Sequence, residues 1–161
     1  MDEPTLHLRL KELHESSFVW AMRCTAQDKS MAEDVIQTVY LKILEGKADF
    51  KGKSTFKTWL FSVIRYTAMD LLRSNQVRLM RRKKYGEQIS EEHSPEPGGT
   101  EDLHKKLANL PLRQQQVLEL RFFHALTLEE IAQVLEISIG SVRQHYDRGK
   151  KKMRILLIDK S

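Results

Sequence analysis

Midway along the chain the charge inverts within a few residues. Arg73, Arg78, Arg81, Arg82, Lys83 and Lys84 form a basic run with no acid among them. From Glu87 to Asp102 there are six acids (Glu87, Glu91, Glu92, Glu96, Glu101 and Asp102) and neither Lys nor Arg. The same stretch holds Pro95, Pro97, Gly98 and Gly99, which break helices, and almost nothing apolar. Such a segment buries too little surface to offset its ordering entropy. It reads as a flexible acidic linker over 86–102, dividing the chain into 1–85 and 103–161. Small cores are marginal alone, so each half gains from a partner.

Both halves read as helical. Val35, Ile36, Val39, Tyr40, Ile43 and Leu44 recur with a period near 3.6, and Gly46 ends that helix. A second helix starts after Gly52 and Ser54, with Phe56, Trp59, Leu60, Val63, Ile64, Thr67, Ala68, Leu71 and Leu72 on its core side. The C-terminal half shows helices at about 111–123, 127–135 and 139–157, with Pro111 where a first-turn proline is tolerated. No strand-like alternation of useful length is present. The expected fold is all-α: two small helical domains joined by the linker, the C-terminal one a helix-turn-helix.

Composition excludes more than it selects. A net charge of +5 favours an anionic partner. Cys24 is the single cysteine, so no disulfide within the chain is expected, which suits a reducing compartment. No apolar run approaches the roughly 20 residues that span a bilayer, and Met1-Asp2-Glu3-Pro4 lacks a signal-peptide pattern. A cytoplasmic protein without membrane insertion is expected. The six histidines show no metal spacing, and no Gly-rich loop cradles phosphate. Neither catalytic residues, metal nor cofactor are expected, and the chain does not read as an enzyme.

Thr127-Leu128-Glu129-Glu130 matches a capping box, with Leu126 and Ile131 placed to staple beside it. The helix runs to Leu135, and after a short turn Ser138 caps the next helix. Ala132 is small where two helices cross, and Ile131, Leu135, Ile137 and Val142 supply a shared core. A short helix, a tight turn and a second helix is the architecture that presents its second helix to a major groove. On that second helix Val142, Tyr146, Gly149, Met153 and Leu157 line the buried side. Ser141, Arg143, Gln144, Asp147, Arg148 and Lys151 point mostly outward. Arg pairs bidentately with guanine and Gln with adenine, while Lys150, Lys151, Lys152 and Arg154 suit phosphates. Glu136 holds a turn position where Gly is usual, and a left-handed conformation there would cost about 1 kcal/mol.

In the N-terminal half, Thr58, Ser62, Arg65, Tyr66, Met69 and Arg73 fall opposite the core stripe of the 56–73 helix. An exposed aromatic between two arginines can stack on an unpaired base while the cations hold the backbone. Packing of Tyr66 and Met69 on another helix accounts for the residues equally well. On the 31–45 helix Leu41 lies off the apolar stripe and shares a face with Asp34 and Gln37, which by itself reads as a solvated face.

Taken together, these residues resemble the extracytoplasmic-function group of bacterial sigma factors. Glu33-Asp34-Val35-Ile36-Gln37, followed by Tyr40-Leu41-Lys42, resembles the helix that docks on the polymerase clamp. Phe50 to Leu60, continuing to Arg65, Asp70 and Arg73, resembles the promoter-melting and minus-ten-reading part. Leu110-Pro111, Arg113, Val117, Leu120-Arg121-Phe122, Glu130-Ile131-Ala132, Ser138 to Arg143 and Arg148-Gly149 resemble the region that reads the minus-thirty-five element. The resemblance implies core RNA polymerase (clamp and flap regions) and promoter DNA as partners. It makes Asp34, Gln37 and Leu41 polymerase contacts, against the solvated-face reading. It makes Trp59, Ser62, Arg65, Tyr66, Met69 and Arg73 the minus-ten face, with Trp59 lining the melted fork or serving the core. Ser141, Arg143, Gln144, Arg148 and Lys151 become the minus-thirty-five face. Two positions depart from the group's pattern: Thr38 stands where Glu is common, and Tyr66 where Asn usually follows the arginine. An anti-sigma protein commonly masks such surfaces in the group, and the sequence leaves that partner open.

The linker suits this reading. Gly86 to Thr100 spans roughly 50 Å when extended, or roughly 15 base pairs of rise, whereas a relaxed coil averages about 21 Å. Two readers on distant promoter elements therefore need a scaffold that stretches the linker. An autonomous helix-turn-helix regulator explains 103–161 but leaves Asp34, Gln37 and the 48–73 segment without a role.

Overall fold

A computed structural model describes residues 2–84 and 101–158, and these residues are helical with no strand among them. The chain splits into two compact units, 1–93 and 94–161. Residues 86–100 of the expected linker lie outside the described residues, as do the basic side chains Arg82, Lys83 and Lys84.

In the N-terminal unit, α1 spans Glu3–Glu12, α2 His14–Cys24, α3 Lys29–Leu44 and α4 Phe56–Lys84. The first two are helices that the apolar periodicity does not announce. The Asp2 carboxylate accepts the Thr5 amide at 3.0 Å to open α1, and Asp28 accepts the Met31 amide at 3.1 Å to open α3. Gly46 ends α3 as expected: its φ is +77°, its amide donates to the Ile43 carbonyl, and the Lys47 amide donates to the Lys42 carbonyl. That pair of bonds satisfies two carbonyls the helix end would leave open.

Helix α4 is the centre of this unit because it packs on both α2 and α3. Trp20 on α2 is fully buried, its ring stacked on Phe61 with centroids 6.1 Å apart, and its Nε1–H donates to the Phe61 carbonyl at 3.1 Å. Two packed neighbours widen the buried arc of α4 beyond the single stripe expected from periodicity. Phe61, absent from that stripe, is fully buried. Thr58 and Arg65, expected on the outward face, are buried as well, Arg65 with 7% of its surface exposed. This corrects the placement of Arg65. The helix also outruns its expected end near residue 73, continuing to Lys84 on residues that favour helix.

In the C-terminal unit, α5 spans Glu101–Leu107, α6 Leu112–Phe122, α7 Leu128–Leu135 and α8 Ile139–Ile158. Helix α5 corrects the linker boundary: Glu101 and Asp102, counted in the linker, form its first turn, a place where acidic residue types suit the helix dipole. Leu107 and the following Leu110 bury against Leu118, with Tyr146, Met153 and Leu156 packed alongside. The His104 ring stacks on Phe123 with centroids 4.9 Å apart, and its Nδ1 lies 3.3 Å from the fully buried Glu119 carboxylate. Pro111 is the N-cap of α6 rather than its first helical residue.

Candidate nucleic-acid interface

The helix-turn-helix is built from local bonds. The Thr127 hydroxyl accepts the Glu130 amide at 3.1 Å while the Glu130 carboxylate accepts the Thr127 amide at 3.0 Å. Leu126, Ile131, Leu135 and Val142 are buried behind them. Glu136 takes the left-handed conformation, φ 55° and ψ 44°, and lets the Ile137 amide bond back to the Ala132 carbonyl. The Ser138 hydroxyl accepts the Ser141 amide at 3.1 Å and so starts α8.

Those bonds set which side of α8 faces out. Arg143, Gln144, Arg148 and Lys151 are exposed, on a face that also holds Asp147. Ser141 is half-buried, and its hydroxyl lies 3.0 Å from that of Ser138, inside the cap. Lys150 differs from the other cations expected at phosphates. Its ammonium lies 4.2 Å from the Tyr146 ring centroid, on the edge of an apolar groove. That groove, of about 530 Å³, is lined by Leu103, Leu107, Leu118, Phe122, Phe123, Met153 and Leu157, with Lys150 and Arg154 at its rim. Leu157, expected on the buried side, is thereby exposed. Burial, together with Arg113 and Arg148 nearby, holds the His145 imidazole below its ordinary pKa.

On α3, Asp34, Gln37 and Leu41 are exposed along one stripe, Leu41 with 57% of its surface open. Three- and four-residue steps bring side chains to a common helix face. Thr38 lies beside this stripe, but its hydroxyl donates to the Asp34 carbonyl at 2.8 Å, within its own helix.

The outward face of α4 carries Tyr66, 58% exposed, with Met69 and Arg73 also exposed. Arg73 lies 3.8 Å from Asp70. Ser62 is half-buried, its hydroxyl donating to the Trp59 carbonyl at 2.6 Å. Trp59 is half-buried in an aromatic cluster, with centroids 5.5 Å from Phe50 and 5.4 Å from Phe56. Arg65 is withdrawn into the unit, so the expected pair of flanking arginines is not presented. The cation beside Tyr66 comes instead from α3. The Lys42 ammonium lies 5.9 Å from the Tyr66 ring centroid and donates to the Thr67 hydroxyl at 3.1 Å. Nothing local in the sequence signals this contact, which joins residues on two different helices.

Among the described residues no group of His, Cys, Asp and Glu could hold a metal ion, and no helix is long and apolar enough to cross a membrane.

Known proteins share both the sequence pattern and this geometry. Residues 16–78 match the family model described as Sigma-70 region 2, and residues 100–153 that described as Sigma-70, region 4. The chain is 26% identical to the ECF RNA polymerase sigma factor SigX of Bacillus subtilis (strain 168), covering 94% of this chain and 83% of that protein. It is 29% identical to the RNA polymerase sigma factor SigV of the same organism, covering 89% and 86%. Two solved structures share the fold. One is the sigma factor RpoE in complex with the anti-sigma factor NepR from Bartonella quintana, with TM-score 0.80, 18% identity, and 98% and 99% of the two chains covered. The other is CnrH in complex with the cytosolic domain of CnrY, with TM-score 0.67, 20% identity, and 99% and 92% covered.

Proposed function

The chain belongs to the extracytoplasmic-function group of bacterial sigma-70 factors, and from that premise we propose how its surfaces divide the work of initiation. The protein binds core RNA polymerase and directs promoter-specific transcription initiation. The exposed α3 stripe of Asp34, Gln37 and Leu41 docks on the polymerase clamp. The outward face of α4, centred on Tyr66, takes a base out of the melted minus-ten element. Arg143, Gln144 and Arg148 read base edges of the minus-thirty-five element, with Lys151 on the backbone. The apolar groove between α5, α6 and α8 suits an apolar segment of the polymerase flap. The protein works beside DNA and polymerase in the cytoplasm and catalyses no reaction of its own. RpoE was solved with an anti-sigma factor, and a partner of that class would here cover the α3 or α8 surfaces.

The observation that supports this reading is that the Asp34, Gln37 and Leu41 stripe and the outward face of α8 are exposed on two separate units of one chain. An autonomous regulator needs only the second. Sedimentation with core polymerase, followed by transcription from a promoter library, tests the reading. Stoichiometric binding to core and transcripts starting at a shared pair of elements is the expected result. A chain that bound duplex sites as tightly alone as with core, and failed to sediment with core, would overturn it.

A further inference from the structure

Tyr66 needs a cation if it is to hold a charged nucleotide, and the neighbouring arginine cannot be that cation at the surface. Arg65 is buried. Arg73 lies seven residues on, roughly 10 Å along the helix at 1.5 Å per residue, and is close to Asp70. The charge beside the ring belongs to Lys42, near the end of α3.

We propose that Lys42 is a positioning and contact residue of the minus-ten face, the cation that holds a nucleotide stacked on Tyr66. The proposal rests on the reading of Tyr66 as the base-capturing side chain. Four features support it. The ammonium lies 5.9 Å from the ring centroid, within the range at which a cation is attracted to an aromatic face. It is anchored, because the buried Thr67 hydroxyl accepts one of its N–H bonds at 3.1 Å. An ammonium has three donors, so others are available to a phosphate oxygen or a base acceptor. Finally, Lys42 is half-buried, and a long side chain already held in place loses less freedom when it meets a ligand. The ring supplies a sequence-tolerant platform, and the fixed charge next to it selects an anionic backbone and an acceptor-bearing edge.

The plain alternative is that Lys42 serves only to satisfy Thr67. The two differ in whether the charge is felt by DNA. Holoenzyme assembled from core polymerase and the full chain is titrated with a forked promoter whose minus-ten non-template strand is single-stranded, over a range of salt. A thermal melt of each variant accompanies the titration. Lys42→Met should weaken binding by about tenfold, the scale of one lost charge-assisted contact. It should also make the salt slope shallower by about 0.7, the value for one single-stranded phosphate. Lys42→Arg should keep the slope, and Lys42→Met with Tyr66→Ala should lose less than the product of the two single losses. Unchanged affinity and slope in Lys42→Met, whether or not its Tm falls, would overturn the role of Lys42 and leave that of Tyr66 standing. If Tyr66→Ala binds the fork normally while Lys42→Met flattens the slope, base capture by Tyr66 fails, and with it the proposal.

Discussion

Gly149 on α8 lies so close to α6 that a Cβ built on it would stand 3.0 Å from Leu118 Cδ1 and 3.5 Å from Gln114 Cβ. The absence of a side chain is what lets the two helices approach behind the exposed face of α8. Gly149→Val should therefore lower the stability of the C-terminal unit by about 1–3 kcal/mol, the usual cost of overpacking. Gly149→Ala should cost less, because Ala recovers about 1 kcal/mol of helix propensity. Calorimetry of the full chain would check both, and a Val variant as stable as the parent would show that Leu118 yields freely into the adjoining groove.

Asp34 and Gln37 are exposed, so replacing both with Ala should leave the stability of the N-terminal unit within about 1 kcal/mol of the parent. Competition for core polymerase should nevertheless collapse, and transcription with it. A double variant that competes normally would place the docking surface elsewhere.

Arg143→Ala should relax preference at one upstream base pair and cost about 1–3 kcal/mol if the contact is bidentate. Lys151→Ala should weaken all sequences alike and reduce the salt slope by roughly one unit. Holoenzyme binding across a promoter library separates the two, and equal effects would remove the distinction between base reader and backbone contact.

His145 gives the C-terminal unit a pH dependence of definite sign. Its native pKa is held below the ordinary value of 6.5 by burial and by Arg113 and Arg148. The unfolded chain therefore takes up the proton first as pH falls. Full stability holds above about 6.5 and declines as pH falls from that value through the lowered native pKa. His145→Gln should flatten that part of a Tm-against-pH curve, and an unaltered slope would assign the dependence to other groups.

Much of the helix-turn-helix is legible in the order of its residues, because what makes it is local. The Thr127–Glu130 capping box joins residues three apart, and so does the Ser138 cap on Ser141. Gly46 ending α3 and Glu136 turning left-handed are likewise settled by near neighbours. The outward placement of Arg143 and Gln144 follows from the same short-range geometry, since the helix start fixes every later direction at 3.6 residues per turn.

The N-terminal unit is less legible because its surfaces are decided by which helices pack on which. Periodicity describes a helix buried along one stripe, and α4 is covered on two sides, by α2 and α3. Cover on two sides leaves Arg65 a buried side chain rather than a surface cation, and α2 supplies Trp20 as the partner of Phe61. Helix α3 brings Lys42 to Tyr66 and Thr67, the latter across a separation of 25 residues. Residue type and spacing supplied the exposed aromatic of α4, Tyr66. The charge beside it depended on the crossing of α3 over α4, a contact between distant segments that only packing of the folded chain decides.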